Sequence, residues 1–195
     1  MNNIHHNIIC LEAEWKYRKE KQNCFSLNTE PLLSWLQAFH GCDIVYRRIL
    51  NKHDLEYYLD YFASHKKEFK KYDIIYIACH GWNHAISLEG DDGHIDLNDL
   101  IGFSKGFFEN RIVHFGACKT LANNQEAIRF KTECKAKLVS GYEISVDAMT
   151  SAIADAVYFN ELMNYQNVGI FRNNSTSKFW KKYSSLLNEL KFKVY

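Results

Sequence analysis

The chain has 195 residues, a length that suits one domain, and a domain of this size buries roughly 70% of its unfolded surface. With 47% hydrophobic residues, 15% aromatics and one proline, it is neither disordered nor fibrous. Its 24 basic and 23 acidic residues give a formal charge of +1, which provides no field to attract nucleic acid or an anionic membrane. We therefore expect one globular domain over residues 1–195, with no nucleic acid and no membrane as partner.

The six cysteines indicate a reducing environment. Cys10, Cys79 and Cys118 lie in apolar, strand-like contexts, which suit free thiols better than disulfides. No signal peptide and no membrane-spanning segment is visible in the sequence. These features predict a cytoplasmic protein, and the frequent Lys, Asn, Ile and Tyr are typical of an AT-rich bacterial genome.

The first part of the chain alternates predicted strands and helices. Ile4 to Leu11 carries four apolar residues and is expected to form the first core strand. Proline favours the first turn of a helix and glycine its end, so a helix is predicted from Pro31 to Phe39, before Gly41. Residues 42–50 form the second predicted strand, and apolar residues at helical spacing predict a helix from His53 onward.

Two continuous apolar runs follow, at residues 73–81 and 111–118. Such runs favour central strands of a parallel sheet that is covered on both faces. Between them, residues 86–89 and 94–97 alternate around a Gly-Asp-Asp-Gly turn, which predicts a hairpin, and a helix is expected over 97–110. Ligands bind at the carboxyl ends of parallel strands, so His80 and Cys118 are expected together at the functional edge of the sheet.

The remainder of the chain completes a three-layer α/β sandwich, a mostly parallel sheet with helices on both faces. The predicted elements are a helix over 120–135, a strand over 138–142, a long helix with one apolar face from Met149 to Met163, an edge strand at 167–171, and a closing helix capped by Ser175 or Thr176. No repeat or linker marks a second domain.

Three motifs in this order resemble the caspase-like cysteine proteases, in the CHAT branch that is related to separase and the metacaspases. They are Ile77-Ala78-Cys79-His80-Gly81, Gly116-Ala117-Cys118-Lys119-Thr120, and the strand Leu138-Val139-Ser140-Gly141-Tyr142. The resemblance covers about residues 70 to 165. Two positions depart from the branch: Tyr142 stands where relatives often have Trp or Cys, and Lys119 directly follows the cysteine.

The resemblance implies an endopeptidase with a Cys-His dyad. Cys118 would be the nucleophile, His80 the general acid and base, and the N–H groups of Gly81 and Cys118 the oxyanion hole. The helix predicted from about Thr120 would favour the thiolate through its dipole. The caspase-like fold implied here matches the predicted sandwich.

The resemblance also suggests a specificity pocket. Proteases of this branch often cut after Arg or Lys by means of acidic residues that follow the first and the later core strands. Glu12, Glu14, Glu143 and Asp147 lie in such places. They predict a preference for a basic residue at P1, since a carboxylate offsets the desolvation of a cation through charge-assisted hydrogen bonds.

Other interpretations stay open. Cys118 alone reads as a small core residue, and Cys79 and His114, inside their strands, are expected in the core. Neighbouring Cys79 and His80 point to opposite faces of a strand, so we expect no metal and no cofactor. The rival functions are a catalytically inactive caspase-fold interaction module and another cysteine hydrolase or acyltransferase.

The function expected from the sequence is a bacterial regulatory or defence thiol protease. Its partners would be a protein or peptide substrate and an activating or regulatory protein. A further expectation is that the chain is not matured by cutting itself, because the segment between Cys118 and the next strand is predicted to be helical and an ordered helix is a poor protease site.

Overall fold

A computed structural model describes residues 6–13, 28–90, 93–172 and 177–195 of the chain. The strands in chain order are β1 (Ile8–Glu12), β2 (Ile44–Arg48), β3 (Ile74–Ala78), β4 (His80–Trp82), β5 (Ala85–Ser87), β6 (His94–Asp96), β7 (Ile112–Gly116), β8 (Leu138–Tyr142) and β9 (Phe192–Val194). The α-helices are α1 (Glu30–His40), α2 (Lys52–Ser64), α3 (Lys66–Phe69), α4 (Leu97–Phe103), α5 (Asn124–Glu133), α6 (Ala148–Leu162) and α7 (Lys178–Glu189).

The main sheet has six strands in the order β2-β1-β3-β7-β8-β9, and only β9 is antiparallel to its neighbour. Apolar side chains lie on both faces of its central strands. Ile75, Ile77 and Val113 join the core formed with α2, α4 and α5, whereas Ile74 and Ile112 face α1, α6 and α7. The predicted three-layer α/β sandwich is therefore confirmed.

A second sheet follows β3 directly. Its strands β4, β5 and β6 are antiparallel, with Gly81 opposite Ile86 and Ile86 opposite Ile95. Both isoleucines are buried in the core beside α4, while His80 and Trp82, on the other face, are exposed. The predicted hairpin of β5 and β6 is confirmed, and β4 extends it to three strands.

Several predicted boundaries are wrong. The helix expected over 97–110 ends at Phe103, followed by turns, and the one expected over 120–135 begins only at Asn124, where the Asn123 side chain caps it. The edge strand expected at 167–171 is a 3-10 helix, Val168–Arg172, and the outer strand is instead β9. The helix expected from His53 is broken into α2 and α3. The capping candidates Ser175 and Thr176 lie outside the described residues.

Candidate active site

The register of the main sheet brings the two predicted reactive residues to one edge. Strands β3 and β7 pair in parallel, from Ile74 with Ile112 to Ala78 with Gly116. These partners are 38 positions apart in the sequence, and so are His80 and Cys118. Two residues beyond the last pair come His80, the first residue of β4, and Cys118, in the turn after β7.

Gly81 shows that the two segments stay in contact beyond the paired strands. A Cβ atom built on Gly81 would lie 1.9 Å from the carbonyl oxygen of Cys118 and 2.6 Å from its amide nitrogen. Only glycine allows this approach, because real Cβ atoms do not come so close to backbone atoms. The backbone next to His80 therefore packs directly on the backbone of Cys118.

Cys118 is partly exposed and its sulfur contacts the loop after β8. The Val146 N–H donates to Cys118 Sγ at 3.4 Å, and the Val146 carbonyl oxygen lies 3.6 Å from the same sulfur. Within the described residues, the Cys118 N–H makes no backbone hydrogen bond.

Backbone hydrogen bonds to two other segments hold the turn after Cys118. Lys119 has a left-handed backbone conformation (φ 54°), and its carbonyl oxygen accepts a hydrogen bond from the His84 N–H. Its own N–H donates to the Ile144 carbonyl oxygen at 3.0 Å. Because α5 begins only at Asn124, the helix terminus expected next to Cys118 is six residues away in sequence. The Val146 amide is the nearer donor.

The other described thiols have a different environment. Cys10, Cys42, Cys79 and Cys134 are buried and unpaired, and burial raises the pKa of each thiol, to about 11 for Cys134. A thiol that stays protonated is a poor nucleophile. Among the described cysteines, only Cys118 is reachable from solvent at a strand end. The predicted core position of Cys79 is confirmed.

The surroundings of His80 were not foreseen from the sequence. Its cross-strand partner is Ser87, which is in turn opposite His94, and Ser87 Oγ lies 2.5 Å from His94 Nδ1. The His94 ring stacks on Trp82 with ring centroids 5.4 Å apart. The alternating segments around the Gly-Asp-Asp-Gly turn predicted the hairpin of β5 and β6. They did not predict that β4 would pair with β5, or in which register.

The structure describes three of the four carboxylates proposed for a specificity pocket. Glu12 is only 2% exposed and accepts hydrogen bonds from Thr29 and Tyr46. Asp147 caps the N-terminus of α6, and Glu143 pairs with Lys193 at 3.4 Å. Glu14 lies outside the described residues. The preference for a basic P1 residue thus stays a prediction of the sequence.

A buried polar cluster lies inside the main sheet below this edge. Asp155 of α6 accepts hydrogen bonds from the hydroxyls of Tyr76 and Tyr142 and lies 2.8 Å from Nε2 of His114. The other ring nitrogen of His114 lies 2.9 Å from Ser140 Oγ. Burial, and then the charge of Asp155, raises the pKa of both tyrosines well above its ordinary value, so the phenols stay neutral donors. The predicted core position of His114 is confirmed.

A known protein family matches this chain. The profile of a family of unknown function, DUF6642, matches residues 5–195, nearly the whole sequence. The chain belongs to the DUF6642 family. No curated protein matches this DUF6642 sequence.

Among solved structures, the DUF6642 fold is similar to the C-terminal domain of the coenzyme A biosynthesis bifunctional protein CoaBC. The identity is 12%, the match covers 84% of this chain and 97% of that one, and the TM-score is 0.43. Neither comparison assigns an activity. In the described part of the chain, no group of three His, Cys, Asp or Glu side chains is placed to hold a metal ion, and no helix there is long and apolar enough to cross a membrane.

Proposed function

We propose that this DUF6642 protein is a cysteine endopeptidase that cleaves a protein or peptide substrate, with Cys118 as nucleophile and His80 as general acid and base. The observation that carries the proposal is the packing of the Gly81 backbone on the Cys118 backbone. It keeps the residue next to His80 against the nucleophile where the paired strands have ended. The motifs that resemble caspase-like proteases support the same roles.

The acylation step follows from this arrangement. His80 takes the proton of the Cys118 thiol, and the thiolate electron pair forms a bond to the carbonyl carbon of the scissile peptide. The carbonyl π electrons move to oxygen, which the N–H groups of Cys118 and Gly81 stabilise. As the carbonyl re-forms, the C–N bond breaks and His80 gives its proton to the leaving amine. A thioester on Cys118 remains.

Hydrolysis of the thioester restores the starting state. Neutral His80 takes a proton from water, and the resulting hydroxide attacks the thioester carbon. The C–S bond breaks, the carboxylic acid product leaves, and the Cys118 thiolate takes the proton back from His80, which restores the thiol and the neutral imidazole.

The proposal extends to the cellular setting expected from the sequence. The buried, unpaired thiols are compatible with a reducing cytoplasm. A bacterial protease in that compartment needs restraint, through narrow substrate choice or through an activating or regulatory protein. We propose that this protease prefers a basic residue at the P1 position of its substrate.

A peptide-library digest followed by mass spectrometry tests the function. Wild-type protein is compared with Cys118→Ala and with Cys134→Ala, which removes a buried thiol away from the site. Internal cleavage that requires Cys118 and survives Cys134→Ala is the expected result. Products that form only with a small acceptor would indicate an acyltransferase, and an unchanged library would indicate an inactive interaction module.

A further inference from the structure

Three polar side chains form a row across the outer face of the small sheet. His80 of β4 is directly opposite Ser87 of β5, and Ser87 is directly opposite His94 of β6. Directly opposite residues in an antiparallel ladder share a face, with Cβ atoms about 4.5–5.5 Å apart. Ser87 therefore stands between the two imidazoles, and the inner face is left to Gly81 and the buried Ile86.

The far end of this row is fixed in place. Nδ1 of His94 lies 2.5 Å from Ser87 Oγ, and the His94 ring is nearly parallel to that of Trp82, at 8°. The ammonium of Lys119 lies 5.9 Å from the centroid of the Trp82 ring. Lys119 follows Cys118 in the sequence, so His94 is connected through Trp82 to the segment that carries the proposed nucleophile.

We propose that Ser87 and His94 are positioning residues for His80, an inference that rests on the proposed function. A general base presents one ring nitrogen to the nucleophile when a third group holds the other. A serine hydroxyl has one donor and two acceptor sites. Ser87 donates to Nδ1 of His94 and accepts an N–H from His80. The remaining ring nitrogen of His80 is thereby aimed at Cys118.

This role has a signature that depends on pH. Other titratable or charged groups around the row are Cys118, Lys119, Asp96, which caps α4, and His84 in the β4–β5 turn. Iodoacetamide alkylates the thiolate form of a cysteine; in acid little thiolate forms unless a base takes the thiol proton, whereas in alkali it forms without help. A well-placed His80 therefore matters most in acid. Loss of positioning therefore slows alkylation in acid and leaves the alkaline rate nearly unchanged. A general loss of packing would change both.

The experiment measures the rate of Cys118 alkylation by iodoacetamide between pH 5.5 and 9.5, read from the mass of the Cys118 peptide. The variants are His80→Ala, Ser87→Ala, Ser87→Thr, which keeps a hydroxyl, and His94→Gln. Ser185→Ala and His53→Gln, at exposed positions on α7 and α2, are the matched controls. Thermal unfolding of each variant monitors the fold.

Ser87→Ala is expected to slow alkylation at pH 6 by roughly five- to tenfold, the effect of one hydrogen bond, with Ser87→Thr restoring the rate. His94→Gln should give a smaller slowing in the same direction. A wild-type pH profile for Ser87→Ala, while His80→Ala loses the acidic reactivity, would overturn the positioning role and leave the proposed dyad standing. A wild-type profile for His80→Ala itself would overturn both.

Discussion

Two histidines, one on the small sheet and one inside the main sheet, mark two regions with opposite character. His114, in the middle of β7, is fully buried, and its ring nitrogens lie against Ser140 and Asp155. His80, just beyond β3, is exposed, next to the glycine that packs on Cys118. A polar residue that is buried with its partners supports the fold, whereas an exposed one beside a strand end contributes less to stability. Mutations in the two regions should therefore have separable effects.

The largest effect is expected from Cys118→Ala. Loss of the nucleophile should reduce peptidase activity by about 10³-fold or more, because the steps that follow depend on the same sulfur. Stability should change by less than about 1 kcal/mol, since the side chain is small and partly exposed. Peptide-digest rates and urea unfolding check the two statements. Loss of the fold, or equal loss of activity in Cys134→Ala, would contradict the separation of the regions.

The buried region should give the largest change in stability. Asp155→Ala removes the acceptor of the Tyr76 hydroxyl, one of the two acceptors of the Tyr142 hydroxyl and the partner of His114 Nε2, and is expected to cost about 3–5 kcal/mol in the free energy of unfolding. Asp60→Ala is the control, because its pair with Lys105 is exposed and should contribute less than about 1 kcal/mol. Chemical unfolding measures both. Similar small changes in the two variants would show that the cluster does not stabilise the fold.

Gly81→Ala tests the contact between the two strand ends. The added methyl group meets the Cys118 backbone, so the segment must shift, at an expected cost of about 1–3 kcal/mol together with loss of activity. At Gly102 a methyl group would meet nothing within 4 Å, so Gly102→Ala should leave activity intact. Urea unfolding curves measure the change in stability, and peptide-digest rates measure the change in activity. Full activity in Gly81→Ala would disprove the role of this close approach.

A smaller effect, dependent on pH, is expected at the opposite edge of the sheet. Burial alone would lower the pKa of His6, but its hydrogen bond to Asp73, at 2.6 Å, and the charge of that carboxylate raise the pKa above the ordinary value of 6.5. The stabilisation is therefore fully present below pH 6.5 and is lost as pH rises through the higher folded-state pKa.

Asp73→Asn should remove this dependence and cost about 1 kcal/mol, the contribution of one hydrogen bond, mainly at acidic pH. Urea unfolding at pH 6 and pH 9 measures the difference. Lys71→Ala, which removes the exposed pair with Asp43 and the contact of the ammonium with the Tyr72 ring, is the comparison and should not alter the pH profile over this range. A pH-independent loss in Asp73→Asn would contradict the assignment to His6.

The sequence by itself determined the fold class and the edge at which the reactive residues lie. Long apolar runs such as 73–81 and 111–118 favour strands inside a covered parallel sheet, and His80 and Cys118 come at the ends of these runs, so both were expected at its carboxyl edge. The core positions of Cys79 and His114 followed from the same runs. Short or turn-bounded elements did not: β9 has three residues, and 167–171 has no periodicity that separates a strand from a 3-10 helix.

Only the tertiary structure decided which polar groups meet. Asp155 joins Tyr76 because α6 crosses the sheet at that height, and His94 reaches Ser87 because β4, β5 and β6 pair in one register. The same holds for Glu12, which turned from a candidate in a specificity pocket to a buried acceptor for Thr29 and Tyr46. Strand and helix patterns follow from local periodicity, whereas hydrogen bonds between residues distant in sequence depend on packing geometry that no local pattern contains.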